Sequence, residues 1–424
     1  MARSAARIGF IAGDLTFPCR DRPGLVRMAP SRRDPRSVRA VRRIIAVALV
    51  LAAPLAGCAR EEIVPETYLP SSAWDEYRRS LQDAGLAGTA LGGDWRRVAD
   101  AAIAVPVDID LPYVERGTFD SREAHAFGYR FPVARGQRVQ IELRLDGPVP
   151  EVFLDVYRER EEEAPLHIAS ADAASRQLIF EPRADADYLL RLQPELLRGG
   201  DFELTVQVDA ALTFPVADHG MPDVWSEFGA PRDGGRRSHH GVDIFAARGT
   251  AAVAVTRAYV RRVREQNLGG LTVWLHDRKR NLHLYYAHLD EQLVEPGQWV
   301  NAGDIVGRVG NTGNARTTPP HLHFAIYSNG PINPDVFLRP TRGTPRAPRA
   351  DLTMLGEFAA TDASTTLRAG LGRSAPNLAD LMRGTPLRVW AAAGDSYRVS
   401  LPDGSVGFVA ANSVGLASDS ANND

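Results

Sequence analysis

The spacing of apolar positions changes several times along the 424 residues. Residues 44–57 form one apolar run, IIAVALVLAAPLAG, shorter than the roughly 20 residues that span a bilayer. Helical spacing follows in SAWDEYRRSLQDAGL, where Trp74, Tyr77, Leu81 and Leu86 recur at intervals of three to five. A tether and helical segment is therefore expected over 58–118. From about 120 to 210 the period drops to two in RVQIELRL, EVFLDVYRE, QLIFEP, DYLLRLQP and FELTVQV, with Gly, Pro and Asp between the runs. Such alternation predicts an antiparallel β-sandwich-like accessory domain over 119–211.

Further strands, AAVAV, YVRRVRE, LTVWLHD and HLYYAHL, alternate with glycine turns and make 212–340 nearly all β. The stretch RPTRGTPRAPRA has three prolines and little to bury, so 341–362 reads as a linker. Short alternating runs return over 363–418, in MRGTPLRVW and SYRVSLPDGSVGFVA. The fold class expected is mainly β and multidomain.

Composition is ordinary for a globular chain, with 44% hydrophobic and 24% charged residues, and the length suggests two to four domains. The net charge of -2 conceals a split. The first 57 residues hold eleven arginines and three aspartates, which leaves 39 basic and 49 acidic residues, about -10, for the remainder. That balance argues against a nucleic-acid partner.

Arg39, Arg42 and Arg43 before the apolar run, and small residues after it, describe an export signal over 1–57. Met28 makes a more typical start for it than Met1. Its end, Leu55-Ala56-Gly57-Cys58, resembles a bacterial lipobox, which implies cleavage before Cys58, lipidation of its thiol and anchoring in a membrane. Ala59 in place of Asp points, in a Gram-negative cell, to the outer membrane facing the periplasm. The other cysteine, Cys19, lies upstream of the cut, so a metal site in the mature chain must use His, Asp or Glu.

Eight of the ten histidines fall between Ala217 and Phe324. His125, His167 and His219, and with them His276 and His283, read as ordinary core or surface histidines. Two strings carry more. In HHGVD, His239 and Asp243 would stand roughly 13 Å apart on an extended strand, too far to share a metal, so the chain must bend, and Gly241 tolerates the φ that a bend requires. In HLH, His321 and His323 share one face of a strand, so one can ligate a metal while the other reaches its water. Metal-assisted hydrolysis is the chemistry these types suggest.

The strings FGAPRDGGRRSHHGVDIFAARGTAAVAV, YYAHL, VEPGQWVNAGDIVGRVGNTGN and PPHLHFAIY, ending at INP, resemble, in order, the lysostaphin-like, LytM-domain zinc metallopeptidases of peptidoglycan. The resemblance runs from about Phe214 to Phe337. It implies a Zn2+ site made by His239, Asp243 and His323, with His288 and His321 as non-ligand catalytic histidines whose roles can be exchanged. It implies an endopeptidase acting on peptidoglycan stem peptides, and a solvent-facing His240. The stretch Thr317-Thr318-Pro319-Pro320 departs from the family's usual glycine-containing approach to the histidines.

A rival reading comes from the same family, in which some members have lost ligands and serve as activators of cell-wall amidases, with an amidase or divisome partner. Here all five residues are present. The run GQWVNAGDIVGRVGNTG lacks the lysine of a phosphate loop or a lipoyl hairpin and reads as structural turns. RDGGRR at 232–237 is a charged loop bordering the cleft. Residues 119–211 loosely resemble prepeptidase-type accessory domains. Residues 363–418 resemble a small bacterial SH3-like barrel, which implies wall-peptide binding.

Overall fold

The structure, a computed structural model, describes residues 64–65, 72–146, 151–171, 176–340 and 343–416. The expected export signal and Cys58 lie outside the described residues. Strands dominate.

Two helices, Ala73–Asp83 and Ala90–Ala104, come first. Ser72 caps the first through a reciprocal pair, its Oγ accepting from the Asp75 amide while the Asp75 carboxylate accepts from the Ser72 amide. Both are held on a sandwich by aromatic packing. Trp74 stacks on Trp95 at 5.3 Å, Trp95 meets Phe153 edge-on, and the two indoles donate to Gln193 Oε1 and the Pro194 carbonyl. Each buried indole N–H thus finds an acceptor.

The sandwich has two sheets. One orders Gln177–Glu181, Gln137–Leu145, Gly200–Ala210 and Tyr113–Phe119, and the other Val107–Asp108, Phe127–Val133, Ala186–Pro194, Val152–Arg158 and Leu166–Ser170. Their inner faces bury Tyr129, Phe131, Ile141, Phe180, Tyr188 and Leu204. The sandwich therefore begins ahead of position 119, because Tyr113, Glu115 and Gly117 alternate inward along a strand whose outward residues hide the pattern.

The C-terminal strands do not stand apart from this sandwich. Pro386–Ala393 pairs with the edge strand Tyr113–Phe119, Ala391 opposite Gly117 and Ala392 opposite Arg116. Trp390, Ala391, Ala393 and Phe408 enter the sandwich core. Buried Glu115 accepts from the Tyr113 and Tyr129 hydroxyls at 2.6 Å each and faces Arg398 Nη1 at 3.7 Å. Strand Phe358–Thr361 also joins these C-terminal strands, although it falls within the expected linker.

The intervening region is built on an antiparallel sheet ordered Val224–Ser226, Val242–Phe245, His321–Tyr327, Leu282–Gln292, Gly270–Asp277, Ala258–Gln266 and Trp299–Val300. One face packs Val260, Leu275, Leu284, Phe324 and Ile326 into a core of its own. Arg280 pins this region to the sandwich, pairing with Glu181 at 2.5 Å and with buried Asp277 at 2.6 Å. Two glycines of GQWVNAGDIVG serve as turns, with φ of 98° at Gly297 and 88° at Gly303, while Gly307 lies within the strand Ile305–Val309.

Candidate metal centre

Register brings the two strings together. Val242–Phe245 pairs with His321–Tyr327 so that Asp243 lies directly opposite His323 and Phe245 opposite His321. Cross-strand partners share a face, so Asp243 and His323 point the same way. His239 reaches them from the preceding bend, held by backbone bonds from its amide to the Ala230 carbonyl and from the Gly229 amide to its own carbonyl.

Asp243 Oδ1 lies 2.9 Å from His323 Nδ1 and 3.1 Å from His239 Nε2, and the two nitrogens are 2.9 Å apart. A tetrahedron with bonds of 2.0–2.1 Å has edges of about 3.3 Å. The donors thus form one face of such a tetrahedron, slightly contracted, and two imidazoles with one carboxylate suit zinc. Among the described residues this is the group of three able to hold a metal ion.

The neighbouring groups fix how each ring is presented. His239 Nδ1 donates to the Glu227 carbonyl at 2.9 Å, which leaves Nε2 for a metal. His288 Nδ1 donates to the Thr312 carbonyl and His321 Nδ1 to the Pro319 carbonyl, each at 2.9 Å. A carbonyl can only accept, so both rings carry a proton on Nδ1, and in the neutral tautomer the lone pair falls on Nε2. The Thr317–Pro320 segment acquires a role here, since it supplies the carbonyl that orients His321. Rings 288 and 321 sit 5.0 Å apart, edge to face, with His288 6.0 Å from His323.

His288 has φ of 61°, a left-handed conformation unusual for a residue with a side chain. It occupies a register shift between Leu271 and Val273 opposite, and its amide donates to the Gly269 carbonyl at 2.7 Å. The bulge turns the side chain out of the strand's regular alternation.

Gly241 behaves differently from the expectation. Its φ lies outside the left-handed region, and what requires glycine is close approach: a Cβ would stand 2.4 Å from the Phe324 carbonyl oxygen and 2.9 Å from His323 Cε1. Sequence spacing shows that the chain must bend there, but not how near the next strand passes.

Sequence reasoning missed Arg232. Its Nη2 donates to Asp243 Oδ2 and to Ser226 Oγ, both at 2.6 Å, so one carboxylate oxygen is occupied and Oδ1 is left to the cluster. Only its place in a charged loop beside HHGVD hinted at this. Burial alone would push the Asp243 carboxyl up, but the close contacts with the His239 and His323 rings outweigh it and hold it well below the usual range. Burial, with His321 and His323 nearby, pushes His288 down to about 4, so it stays neutral at ordinary pH.

These groups line a cleft of about 830 Å³ whose walls include Trp225, Phe245, Leu268, Trp274, Tyr285 and Tyr327. Trp225 is largely exposed and stacks on Phe245 at 4.8 Å. His240 is exposed, as expected. His125, His167, His219, His276 and His283 lie outside the group able to hold a metal ion and contact other partners.

Known proteins resemble part of this chain. L-Ala--D-Glu endopeptidase of Bacillus subtilis is 32% identical over 127 residues, covering 28% of this chain and 38% of that protein. Peptidoglycan DD-endopeptidase ShyC of Vibrio cholerae is 34% identical over 101 residues, 24% of this chain and 22% of its own. The uncharacterized lipoprotein YgeR of Escherichia coli is 34% identical over 115 residues, 27% of this chain and 43% of its own. The chain thus spans well under two thirds of each of these relatives. Residues 237–334, within which all five clustered side chains lie, match Peptidase family M23.

Proposed function

We propose that this protein is a zinc endopeptidase that hydrolyses peptide cross-links of peptidoglycan, with the metal held by His239 Nε2, Asp243 Oδ1 and His323 Nδ1. The observation that carries the reading is the set of tautomers. Backbone carbonyls take the Nδ1 protons of His239, His288 and His321, so one Nε2 is left to bind metal and two to handle protons beside it. When bound, zinc supplies Lewis acidity toward water and the scissile carbonyl.

The side chains do the remaining work. His321 accepts the proton of the attacking water at Nε2 and returns it to the leaving amine. His288, with its Nδ1 proton held by the Thr312 carbonyl, steadies the water by accepting a hydrogen bond at Nε2, and Arg232 keeps Asp243 fixed through Oδ2. In a Gram-negative envelope the bond would join D-alanine to diaminopimelate. The reading extends to an export signal over 1–57, a lipid anchor at Cys58 and a periplasm-facing outer-membrane site, in keeping with the relative named a lipoprotein. The SH3-like C-terminal strands would bind wall peptides.

The test incubates the mature chain, and its His239→Ala variant, with purified cross-linked peptidoglycan and reads the fragments by mass spectrometry. Loss of cross-linked dimers with the wild type alone is expected, and the fragment masses identify the bond. Intact cross-links in the presence of bound zinc would overturn the peptidase reading and leave amidase activation, read by adding an amidase. Palmitate labelling that survives Cys58→Ser would overturn the anchor.

A further inference from the structure

The sheet that carries the metal cluster has a second face-sharing set that the proposed chemistry does not use. In one cross-strand row, Trp299 pairs with Tyr259, Tyr259 with His276, His276 with His283 and His283 with Tyr327. In the next row, Arg262 pairs with Trp274, Trp274 with Tyr285 and Tyr285 with Ala325. Residues two apart on a strand share a face, so both rows lie on the face of His323, opposite the core formed by Val260, Leu275, Leu284 and Ile326. The rings touch: Trp274 meets Tyr285 at 4.4 Å and Tyr327 at 5.5 Å, and Tyr285 reaches His323 at 5.9 Å.

Arginine lines the outer strand of this shelf. Ala258–Gln266 reads AYVRRVREQ, and Arg261, Arg262 and Arg264 are exposed. Among the described residues no carboxylate pairs with any of the three, although the chain as a whole is acidic. Arg261 and Arg262 lie close enough to help depress His283, and Arg264 close enough to act on Tyr285. Trp274 and Tyr285 also line the cleft, so shelf and cleft are continuous.

We propose that this shelf binds the carboxylate-bearing part of a peptide substrate, with Arg262 and Arg264 pairing its carboxylates and Trp274, Tyr285 and Tyr327 supporting its backbone. It rests on the reading of the cleft as a peptidoglycan peptidase and names the substrate class: an acidic stem peptide, not an uncharged glycyl bridge. Guanidinium groups match carboxylates in geometry, and groups without an internal partner are available to a ligand. An oligoglycine segment offers this strip nothing to pair with.

The experiment measures binding by calorimetry on the full chain carrying His321→Ala, so that nothing is cleaved. The probes are the synthetic tetrapeptide L-Ala-D-Glu-diaminopimelate-D-Ala and the same peptide with its carboxyl groups amidated. The acid form is expected to bind about tenfold more tightly, with the difference shrinking as salt rises. Adding Arg262→Gln and Arg264→Gln should abolish that preference and leave the amide's affinity unchanged, whereas Arg349→Gln, remote in sequence and paired with Asp395, should change neither. Equal binding of the two forms, or a preference that survives the double substitution, overturns the shelf. Cleavage of peptidoglycan by the chain with His321 intact is scored separately, so a chain that cuts without discriminating overturns the shelf alone, and one that discriminates without cutting overturns the peptidase reading alone.

Discussion

At Gly241 an added Cβ would meet the Phe324 carbonyl at 2.4 Å, a backbone atom that cannot swing away. Gly241→Ala should therefore push two strands apart, lower stability by about 1–3 kcal/mol and disturb His323, as thermal melting and zinc affinity will read. Arg232 makes a second residue-scale case. Without its guanidinium, Asp243 Oδ2 loses a charged donor, so Arg232→Gln should weaken zinc binding about 10–100-fold in a chelator competition, with Arg232→Lys recovering part. His125 sits between Phe127 and Trp390, and burial followed by the charge of Arg398 pushes it down to about 3. The neutral ring is the one that folds, so its contribution is present above the ordinary value of about 6.5 and lost as pH falls from there toward 3. Denaturation at pH 5 should show a loss of about 1–2 kcal/mol relative to pH 7.5, and a smaller one in His125→Phe.

Among the elements, the strand Leu282–Gln292 holds the most telling local conflict, because His288 pays for its position with a left-handed backbone. Bulges of this kind aim a side chain at the cost of regular pairing. If His288 is held there for chemistry, His288→Gly and His288→Ala should both lose about 10²-fold or more in turnover. The glycine variant should nevertheless be about 1 kcal/mol more stable than the alanine variant, since glycine accepts that φ freely. Urea titration of the two proteins distinguishes them. Equal stability would show that the bulge relaxes once the ring is gone.

For the molecule as a whole, the pairing of Ala391 with Gly117 makes the C-terminal strands part of the sandwich. A chain ending at 350 would expose the edge of Tyr113–Phe119 and remove Trp390 and Phe408 from the sandwich core. An unpaired edge is a template for association, so this truncation should aggregate or melt at a lower temperature, as light scattering during heating will show. A wall-binding role for 363–418 is therefore better examined with surface substitutions than by deletion. Arg388, which pairs with Asp120 and Glu123 across the same junction, would show by Arg388→Met how much the weld depends on charge.

Much was legible in the residues themselves. Alternation in FELTVQV or LTVWLHD marks strands because one face must be buried, and the crowding of histidines into HHGVD, YYAHL and HLH marks a donor set because few other contexts need so many. The amphipathic spacing of Trp74, Tyr77 and Leu81 likewise foretold the first helix. Other features depend on which strand lies beside which, and that information is spread across the whole chain. The opposition of Asp243 and His323, the reach of Arg232 to Asp243 and the closeness of Phe324 to Gly241 arise from register and loop path, which local periodicity does not encode. The union of the C-terminal strands with the sandwich is of the same kind, because backbone hydrogen bonds join any two edges that meet, whatever side chains they carry. Sequence alone determined which chemistry was present and which segments would be β; only the tertiary structure decided which atoms of that chemistry face one another.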